Sequence, residues 1–231
     1  MANLVQLKML ENLDGFLLVD KPAGIAFSSV VKSVKRKFNL VKVGHGGSLD
    51  AMASGLFILL IGDANKFVER VMGADREYEG TLDFTRRTNT GDLHGAELGE
   101  RGGATPDFAA LAKELKGDVF QAEPRFAAIR KEGVAEYEIV DTGEHGQFMA
   151  HVYRLVFDAA GGAAEVKFAC AVTKQFLPRA MAVEAGATLI SLRRTKIGKF
   201  DVRDAVPFSK LLETEASDFA GLVTPLKSAL Q

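Results

Sequence analysis

Short apolar runs alternate with charged and glycine-rich stretches along the chain, and the spacing within each run predicts its secondary structure. Compact or alternating runs predict strands at residues 15–19, 56–61, 76–84, 148–157, 164–172 and 188–192. Apolar positions at helical spacing predict helices over residues 28–38, 64–72, 105–117 and 178–184. The order of strands and helices lacks the regular alternation of a doubly wound sheet, so the pattern predicts an α+β (mixed α/β) fold.

Two of these helices have a recognisable apolar face. In the first, basic residues lie opposite the apolar positions Val30, Val31, Val34 and Phe38, so they should face solvent or ligand. The later helix is expected to begin with Thr105 as its N-cap and Pro106 at its first position. Its stripe is interpreted as core rather than as a cofactor site: Phe108, Leu111, Ala112 and Leu115.

The composition is that of a folded protein from a reducing compartment. With 231 residues, 47% of them hydrophobic, the chain can bury a core as one large domain or as two close-packed lobes. The single cysteine, Cys170, excludes an internal disulfide, and the four scattered histidines form no ligand cluster with it, so no metal is expected. Because there is neither a basic leader before an apolar run nor a stretch of about 18 apolar residues, we expect a cytoplasmic protein.

Basic residues are clustered although the formal net charge is only −1. That net charge argues against indiscriminate coating of nucleic acid. The clusters are Lys32, Lys35, Arg36, Lys37 and Lys42; Arg86 and Arg87; Arg130 and Lys131; and Arg193, Arg194, Lys196 and Lys199. Each cluster alone is typical of a solvated surface, and only their convergence in space would form an RNA-binding track.

The segment from Gly44 to Gly55 carries the strongest candidate for chemistry. It places Asp50 in a glycine-rich turn just ahead of the apolar run at residues 56–61. Glycines permit backbone conformations that other residues resist and allow a ligand to approach the main chain. Such a turn can present a carboxylate to a substrate, although an aspartate in a glycine-rich turn also commonly hydrogen-bonds its own backbone.

This segment resembles the aspartate motif of the TruB family of tRNA pseudouridine synthases, Gly-His-Thr-Gly-Thr-Leu-Asp-Pro followed by a small residue, Ser or Thr, and Gly. Matching positions are Gly44, His45, Gly47, Leu49, Asp50, Ala53, Ser54 and Gly55, whereas Gly46, Ser48, Ala51 and Met52 depart. Further segments resemble other motifs of the family in order and spacing: residues 15–24, 75–78, 88–95, 121–130 and 192–200. The resemblance spans residues 13–200, so chance is a poor explanation.

The resemblance implies a fold and a domain organisation. The fold is the pseudouridine synthase catalytic fold, a largely antiparallel central sheet flanked by helices, with the Asp50 loop in a central cleft. We expect residues 1–231 to form one such catalytic domain. Many members of the family carry a C-terminal PUA domain, but the roughly thirty residues after Phe200 are fewer than the ~50 that a small domain needs, so none is expected here.

The resemblance also implies a reaction, the isomerisation of uridine to pseudouridine in tRNA. The implied target is the T-loop uridine at position 55, which must be flipped out of the folded loop. The N1 glycosidic bond breaks, the uracil turns while bound, and C5 bonds to C1′, without a cofactor. A carboxylate can serve as a nucleophile or as a base in this reaction, and the sequence does not choose between these routes.

By this resemblance the catalytic residues are Asp50, Tyr78 and Arg179. The guanidinium would orient the reacting carboxylate and favour its charged form, and Tyr78 would lie against the uracil as a candidate base for the C5 proton. The implied substrate-binding residues are His45, which would insert near the extruded nucleotides, and Lys21, Leu177 and Leu192. Without the resemblance, Tyr78 and Arg179 would be interpreted as a packing residue and a surface arginine.

One segment departs from the family pattern. The family sequence Lys-Gly-Thr-Tyr-Ile-Arg appears here as Lys-Gln-Phe-Leu-Pro-Arg, from Lys174 to Arg179. Leu177 therefore stands where the family has a tyrosine beside the bound base, which removes an aromatic surface and a hydroxyl. The pocket is expected to be altered, or repacked around Phe176.

The expected partner is the T-stem-loop of tRNA, bound by a monomer without a membrane or a metal. Two alternatives stay open. The chain could be a catalytically impaired protein that binds or chaperones tRNA, which would not need Asp50, or a pseudouridine synthase that acts on another RNA. An Asp50→Asn variant tests the first alternative, and mapping of the modified position tests the second.

Overall fold

The computed structural model of the chain describes residue 10 and residues 13–100, 105–122, 126–131, 134–139, 147–173 and 178–226. In chain order the strands are β1 (Gly15–Lys21), β2 (Val43–His45), β3 (Ser54–Ile61), β4 (Arg76–Asp83), β5 (Arg86–Thr88), β6 (Glu97–Glu100), β7 (Gly117–Ala122), β8 (Phe126–Lys131), β9 (Val134–Ile139), β10 (Gln147–Asp158), β11 (Val166–Val172), β12 (Thr188–Ile197), β13 (Phe200–Asp201), β14 (Val206–Pro207) and β15 (Thr224–Pro225). The helices are α1 (Phe27–Lys37), α2 (Val68–Met72), α3 (Phe108–Glu114), α4 (Pro178–Glu184), α5 (Phe208–Glu213) and α6 (Ala216–Phe219). The predicted mixture of strands and helices is confirmed.

The chain divides into two compact units. The first unit comprises Met1–Ala74 and Arg194–Gln231, and the second comprises Asp75–Arg193. The boundary falls within β12, whose last four residues belong to the first unit.

The first unit is built on an antiparallel pair formed by β1 and β3. Gly15 lies opposite Ile61 at one end and Lys21 lies opposite Gly55 at the other. Strand β14 adds to β1 in parallel, whereas β15 pairs with β1, β2 with β3, and β13 with β12 in antiparallel fashion. Every residue of β3 after Ser54 is buried, which explains why its sequence is apolar without alternation.

The core of the first unit contains side chains from both faces of this pair. One cluster of buried residues consists of Phe16, Leu18, Leu56, Ile58, Leu60, Ala64, Val71 and Ile197. On α1, Val30 and Val34 are fully buried, as the helical spacing predicts, and the Phe27 ring centroid lies 6.0 Å from that of Phe57. The basic residues of α1 are exposed to solvent, as expected.

The second unit contains an antiparallel sheet in which β11 lies between β4 and β10, and β10 also pairs with β7. Cys170 of β11 lies opposite Tyr78 of β4 and Leu155 of β10. Its thiol is fully buried, and burial raises the pKa of this thiol to about 12. The antiparallel pairing agrees with the sheet that the family resemblance implies.

The start of α3 differs from the sequence-based expectation. Asp107 is the N-cap, and its carboxylate accepts hydrogen bonds from the backbone N–H groups of Ala109 and Ala110 at 3.0 and 3.2 Å. The expected cap at Thr105 with Pro106 in the first helical position is therefore wrong. The stripe predicted as core is only half-buried; within it, the Phe108 ring packs edge-on against Phe84 at 5.2 Å.

Two further boundaries differ. The single helix predicted over residues 64–72 is a 3-10 helix at Gly62–Phe67 followed by α2. The strand predicted at residues 188–192 continues to Ile197. Within the ranges that the structure describes, no helix is long and apolar enough to cross a membrane.

Candidate functional site

Asp50 lies in the loop between β2 and β3 of the first unit. The loop, defined here as residues 46–53 and called the Asp50 loop, is held by hydrogen bonds of its main chain. Gly46 N–H donates to the Ile58 carbonyl at 2.9 Å, and Ala53 N–H donates to the Asp50 carbonyl at 3.1 Å. Gly47 has a φ of 120°, a conformation that favours glycine. The predicted glycine-rich turn ahead of an apolar strand is confirmed.

The residues around Asp50 anchor the loop in the protein. Leu49, Met52 and Ala53 are buried, whereas the Asp50 side chain is only half-buried. Directly after Asp50, the Ala51 carbonyl accepts a 2.7 Å hydrogen bond from Gly24 N–H. The apolar neighbours thus fix the backbone of the loop and leave the carboxylate partly accessible.

Lys21 is placed beneath this loop. Its side chain is fully buried, and its ammonium donates to the carbonyls of Pro22 at 2.9 Å, Ile25 at 2.8 Å and Ala51 at 3.4 Å. Burial lowers the pKa of Lys21 from 10.5 to about 8; the Asp50 carboxylate opposes this shift, and the charge of Arg194 adds to it. The ammonium therefore joins the turn that follows β1 to the residue after Asp50.

Arg194 holds the same loop from β12. Its side chain is 1% exposed, its Nε donates to the Leu56 carbonyl at 2.9 Å, and its Nη1 donates to the Ser48 carbonyl at 2.9 Å. From the sequence alone, the basic cluster that contains Arg194 is interpreted as typical of a solvated surface. For Arg194 this interpretation is wrong, because its side chain is buried.

His45 ends β2, just before the Asp50 loop. Its Nδ1 accepts a hydrogen bond from Gly47 N–H at 3.3 Å, which leaves the ring proton on Nε2. The ring centroid lies 5.1 Å from that of Phe27 and 5.9 Å from that of Phe57. Burial and the charge of Arg194 both lower the pKa of His45 below 6.5, so this ring is uncharged at neutral pH.

The second unit carries Tyr78 and Leu192. Tyr78 lies on β4 and Leu192 on β12, and each side chain is 6% exposed. Leu177 lies outside the described residues, as do Lys174 and Phe176 of the same segment.

Arg179 lies in the first turn of α4 and is 9% exposed, so it is not an ordinary surface arginine. Its Nη1 lies 3.8 Å from Oδ2 of Asp92, whose side chain is fully buried. Oδ1 of Asp92 accepts hydrogen bonds from the Thr90 hydroxyl at 2.9 Å and from His94 N–H at 3.0 Å. Thr90 and His94 thus fix the Asp92 carboxylate, which lies within ion-pair distance of the Arg179 guanidinium.

Several contacts hold the segment that contains Asp92 in place. The Thr88 hydroxyl donates to the Asp92 carbonyl at 2.7 Å, and a short parallel bridge joins Asp92 to Leu189. A Cβ at Gly91 would lie 2.8 Å from the Arg179 carbonyl, so this position must stay small. Sequence reasoning matched this motif but missed Asp92 as the partner of Arg179. Thr90, two residues before Asp92, was the available signal that this carboxylate is buried, since a buried carboxylate needs donors.

The sequence-predicted site residues that the structure describes are therefore distributed over both units. Lys21, His45 and Asp50 belong to the first unit, where they meet around one loop, and Tyr78, Arg179 and Leu192 belong to the second. In the described parts of the chain, no group of three or more His, Cys, Asp or Glu side chains could hold a metal ion.

Solved structures share this fold. Over 96% of the chain, the structure superposes on a protein in the crystal structure of a Cbf5-Nop10-Gar1 complex with a TM-score of 0.73 and 22% sequence identity. The chain covers 63% of that solved protein. The mixed, largely antiparallel fold expected from the motifs is thereby confirmed.

Sequence comparisons identify the family. Residues 35–175 match the profile described as TruB family pseudouridylate synthase (N-terminal domain). The chain is 32% identical over 227 residues to the tRNA pseudouridine synthase B of Aromatoleum aromaticum, covering 93% of this chain and 73% of the relative. It is 31% identical to the enzyme of the same name from Corynebacterium glutamicum, covering 86% and 72%. Together with the motif residues placed above, these matches show that the chain belongs to the TruB family of pseudouridylate synthases.

Proposed function

We propose that this member of the TruB family isomerises uridine to pseudouridine in tRNA, with the T-loop uridine at position 55 as its target and Asp50 as the reacting carboxylate. The observation that carries the proposal is the geometry of the Asp50 loop. Its main chain is fixed by Gly24, Lys21 and Arg194, while the Asp50 side chain stays half-buried. A fixed backbone beneath an accessible carboxylate suits attack on a bound nucleotide.

The reaction balances without an external reactant. The bond between N1 and C1′ breaks with assistance from the Asp50 carboxylate, acting either as a nucleophile or as a base. The uracil turns while bound, and a new bond joins C5 to C1′. The proton on C5 leaves and N1 gains a proton, so substrate and product are isomers.

The remaining residues receive roles from their surroundings. We assign removal of the C5 proton to Tyr78 and orientation of the Asp50 carboxylate to Arg179, itself oriented by Asp92. The uncharged His45 ring, backed by Phe27 and Phe57, is a surface for an extruded nucleotide. Leu192 and Leu177 are assigned to the pocket for the base, and Lys21 supports the loop from beneath.

We further infer that the protein acts as a monomer in the cytoplasm on the T-stem-loop. The exposed basic side chains of α1 provide phosphate contacts for such a stem.

The test of the function uses unmodified tRNA with tritium at uridine C5. Pseudouridine formation releases this tritium, and we expect release from the wild-type transcript but not from one in which uridine 55 is replaced by cytidine. Release that persists in the cytidine transcript would assign another target uridine. Binding without any release from either transcript would favour a binding-only protein.

Tyr78→Phe should keep the fold and slow the reaction. The ring stays in its buried place on β4, but the phenolic oxygen that would accept the C5 proton is gone, so we expect the single-turnover rate to fall about 10²-fold or more. Tritium release under single-turnover conditions measures this rate. Tyr153→Phe, on an exposed tyrosine of the same unit, is the matched control and should react at the wild-type rate. Equal rates for Tyr78→Phe and wild type would exclude the hydroxyl from proton removal.

The reaction rate should fall as pH rises through about 8. Since the pKa of Lys21 is lowered from 10.5 to about 8, its ammonium loses a proton in this range. The neutral amine has only two N–H donors for the three carbonyls that the ammonium binds, so one carbonyl then faces the nitrogen lone pair and loses its hydrogen bond. A pH profile of the single-turnover rate measures the effect, and Lys21→Met should lack this alkaline limb.

The same pKa shift acts on stability with the opposite sign. Between pH 8 and 10.5 the unfolded chain keeps the Lys21 proton that the folded chain has lost, so the contribution of this group to the free energy of unfolding rises with pH. Urea unfolding of wild type and Lys21→Met across this range would separate the effect on stability from the effect on the reaction rate.

For the reaction itself, a single-turnover rate that stays constant up to pH 10 would contradict the assigned role of Lys21.

A further inference from the structure

Arg194 is the most deeply buried charged side chain near the Asp50 loop after Lys21. Within the described part of the chain, its guanidinium donates hydrogen bonds only to neutral main-chain carbonyls, those of Ser48 and Leu56. Its Nη2 is buried and has no hydrogen-bond partner among the residues that the structure describes. Burial of a charge under such conditions is unfavourable, and a well-packed apolar side chain would serve stability as well or better. The guanidinium therefore needs an explanation other than stability.

The two carbonyls lie on opposite arms of the loop. Ser48 precedes Asp50 by two residues, and Leu56 follows it by six and is already part of β3. A guanidinium presents its N–H groups in a rigid planar fork, so two bonds of 2.9 Å fix the separation of the two arms. A lysine at this position would supply one flexible ammonium and could not impose the same spacing.

Different side chains hold the main chain on the two sides of Asp50. Gly24 N–H and the Lys21 ammonium hold the Ala51 carbonyl, directly after Asp50. On the preceding side, the carbonyl of Ser48 is held by Arg194. The backbone that carries the carboxylate is thus clamped on both sides.

We propose that Arg194 is a positioning residue for Asp50, which holds the carboxylate at the angle and depth that the reaction needs without touching the substrate. This inference rests on the proposed function, because it presumes that Asp50 reacts.

The charge of Arg194 also affects the titration of two neighbouring side chains. Its charge contributes to the lowered pKa values of Lys21 and His45. Removal of the charge should raise the pKa of Lys21, so the alkaline limb of the rate should move to higher pH. A residue that merely filled space would not shift this limb.

The test compares Arg194→Met and Arg194→Lys with Arg203→Met, a control on an arginine of the same unit whose side chain is 83% exposed. For Arg194→Met we expect the single-turnover rate to fall about 10²-fold with an unchanged Kd for tRNA. Arg194→Lys, which keeps the charge but loses the fork, should be intermediate in rate and keep the pH limb near that of wild type. Arg203→Met should match wild type.

Hydrogen exchange of the free protein gives a readout that does not depend on activity. We expect the amides of residues 46–55 to exchange faster in both Arg194 variants, with protection elsewhere unchanged. Because Arg194→Met leaves two carbonyls without donors, it is at risk of unfolding; in that case the Lys variant, judged by rate and exchange together, decides. Wild-type rates and wild-type protection of the loop in Arg194→Lys would overturn the inference.

Failure of this inference can be told apart from failure of the proposed function. If wild type releases no tritium, or if release is independent of Asp50, the function itself is wrong. If wild type reacts through Asp50 and the Arg194 variants react equally fast, only the positioning role is wrong.

Discussion

Asp50→Asn should release almost no tritium from tRNA labelled at uridine C5, with a single-turnover rate reduced by about 10³-fold or more. The substitution keeps the size and shape of the side chain but removes the charged oxygen that would attack or abstract a proton. The backbone contacts of the loop all involve main-chain groups of Asp50 and its neighbours, so they should survive. Gel-shift titration should therefore give the wild-type Kd for tRNA.

Asp63→Asn is the matched control for this experiment. Asp63 lies in the same unit, is exposed, and pairs with Lys66 at 2.6 Å on the surface. Because solvent screens an exposed pair, its removal should change stability little and leave the reaction unchanged. If Asp50→Asn formed pseudouridine as fast as wild type, Asp50 would not be the reacting group, and a binding-only role for the loop would gain support.

Asp92→Asn should have the second largest effect, although we do not expect Asp92 to touch the substrate. Asparagine can still accept from the Thr90 hydroxyl and His94 N–H, but its amide would present N–H groups toward the Arg179 guanidinium, where Oδ2 now lies 3.8 Å away. Two donors then face each other in a buried place. We expect Arg179 to shift, the reaction rate to fall about 10²-fold, and the free energy of unfolding to fall by about 1–3 kcal/mol.

The rate and the stability must be separated to interpret this variant. Asp83→Asn supplies the comparison, since Asp83 is a buried aspartate of the same unit that accepts from the Thr85 hydroxyl and pairs with Arg86 at 3.0 Å. It should lose similar stability in urea unfolding and react at the wild-type rate. If Asp92→Asn lost stability but reacted at the wild-type rate, the Asp92–Arg179 pair would contribute to stability and not to the reaction.

The parts of the site that the sequence predicted are those in which local chemistry determines local structure. The Asp50 loop follows from its glycines and from the apolar run that continues into β3, because a positive φ at Gly47 and a fully buried strand both have signatures within a few residues. The exposed basic face of α1 follows in the same way from helical spacing.

The parts that the sequence did not predict depend on partners distant along the chain. Arg179 and Asp92 are 87 residues apart, so the residues near Asp92 can indicate a buried carboxylate but not its pairing with Arg179. A turn lysine is usually solvated, but three carbonyls converge on Lys21 only after β1 and the Asp50 loop have come together. The run of basic residues around Arg194 predicts a solvated surface, whereas its burial depends on the distant carbonyls of Ser48 and Leu56. The cap of α3 was misplaced by two residues because Thr105 and Asp107 are both good caps, and local sequence does not choose between them.

The buried thiol of Cys170, opposite Tyr78, can report on opening of the sheet in the unmodified protein. Cys170 is the only cysteine of the chain, and with a pKa of about 12 it is almost entirely unreactive while β11 stays packed. Alkylation of this sulphur therefore requires opening of the sheet around β11, the strand that pairs with β4. The rate of alkylation measures how often the sheet opens around β11, without any label having to be introduced.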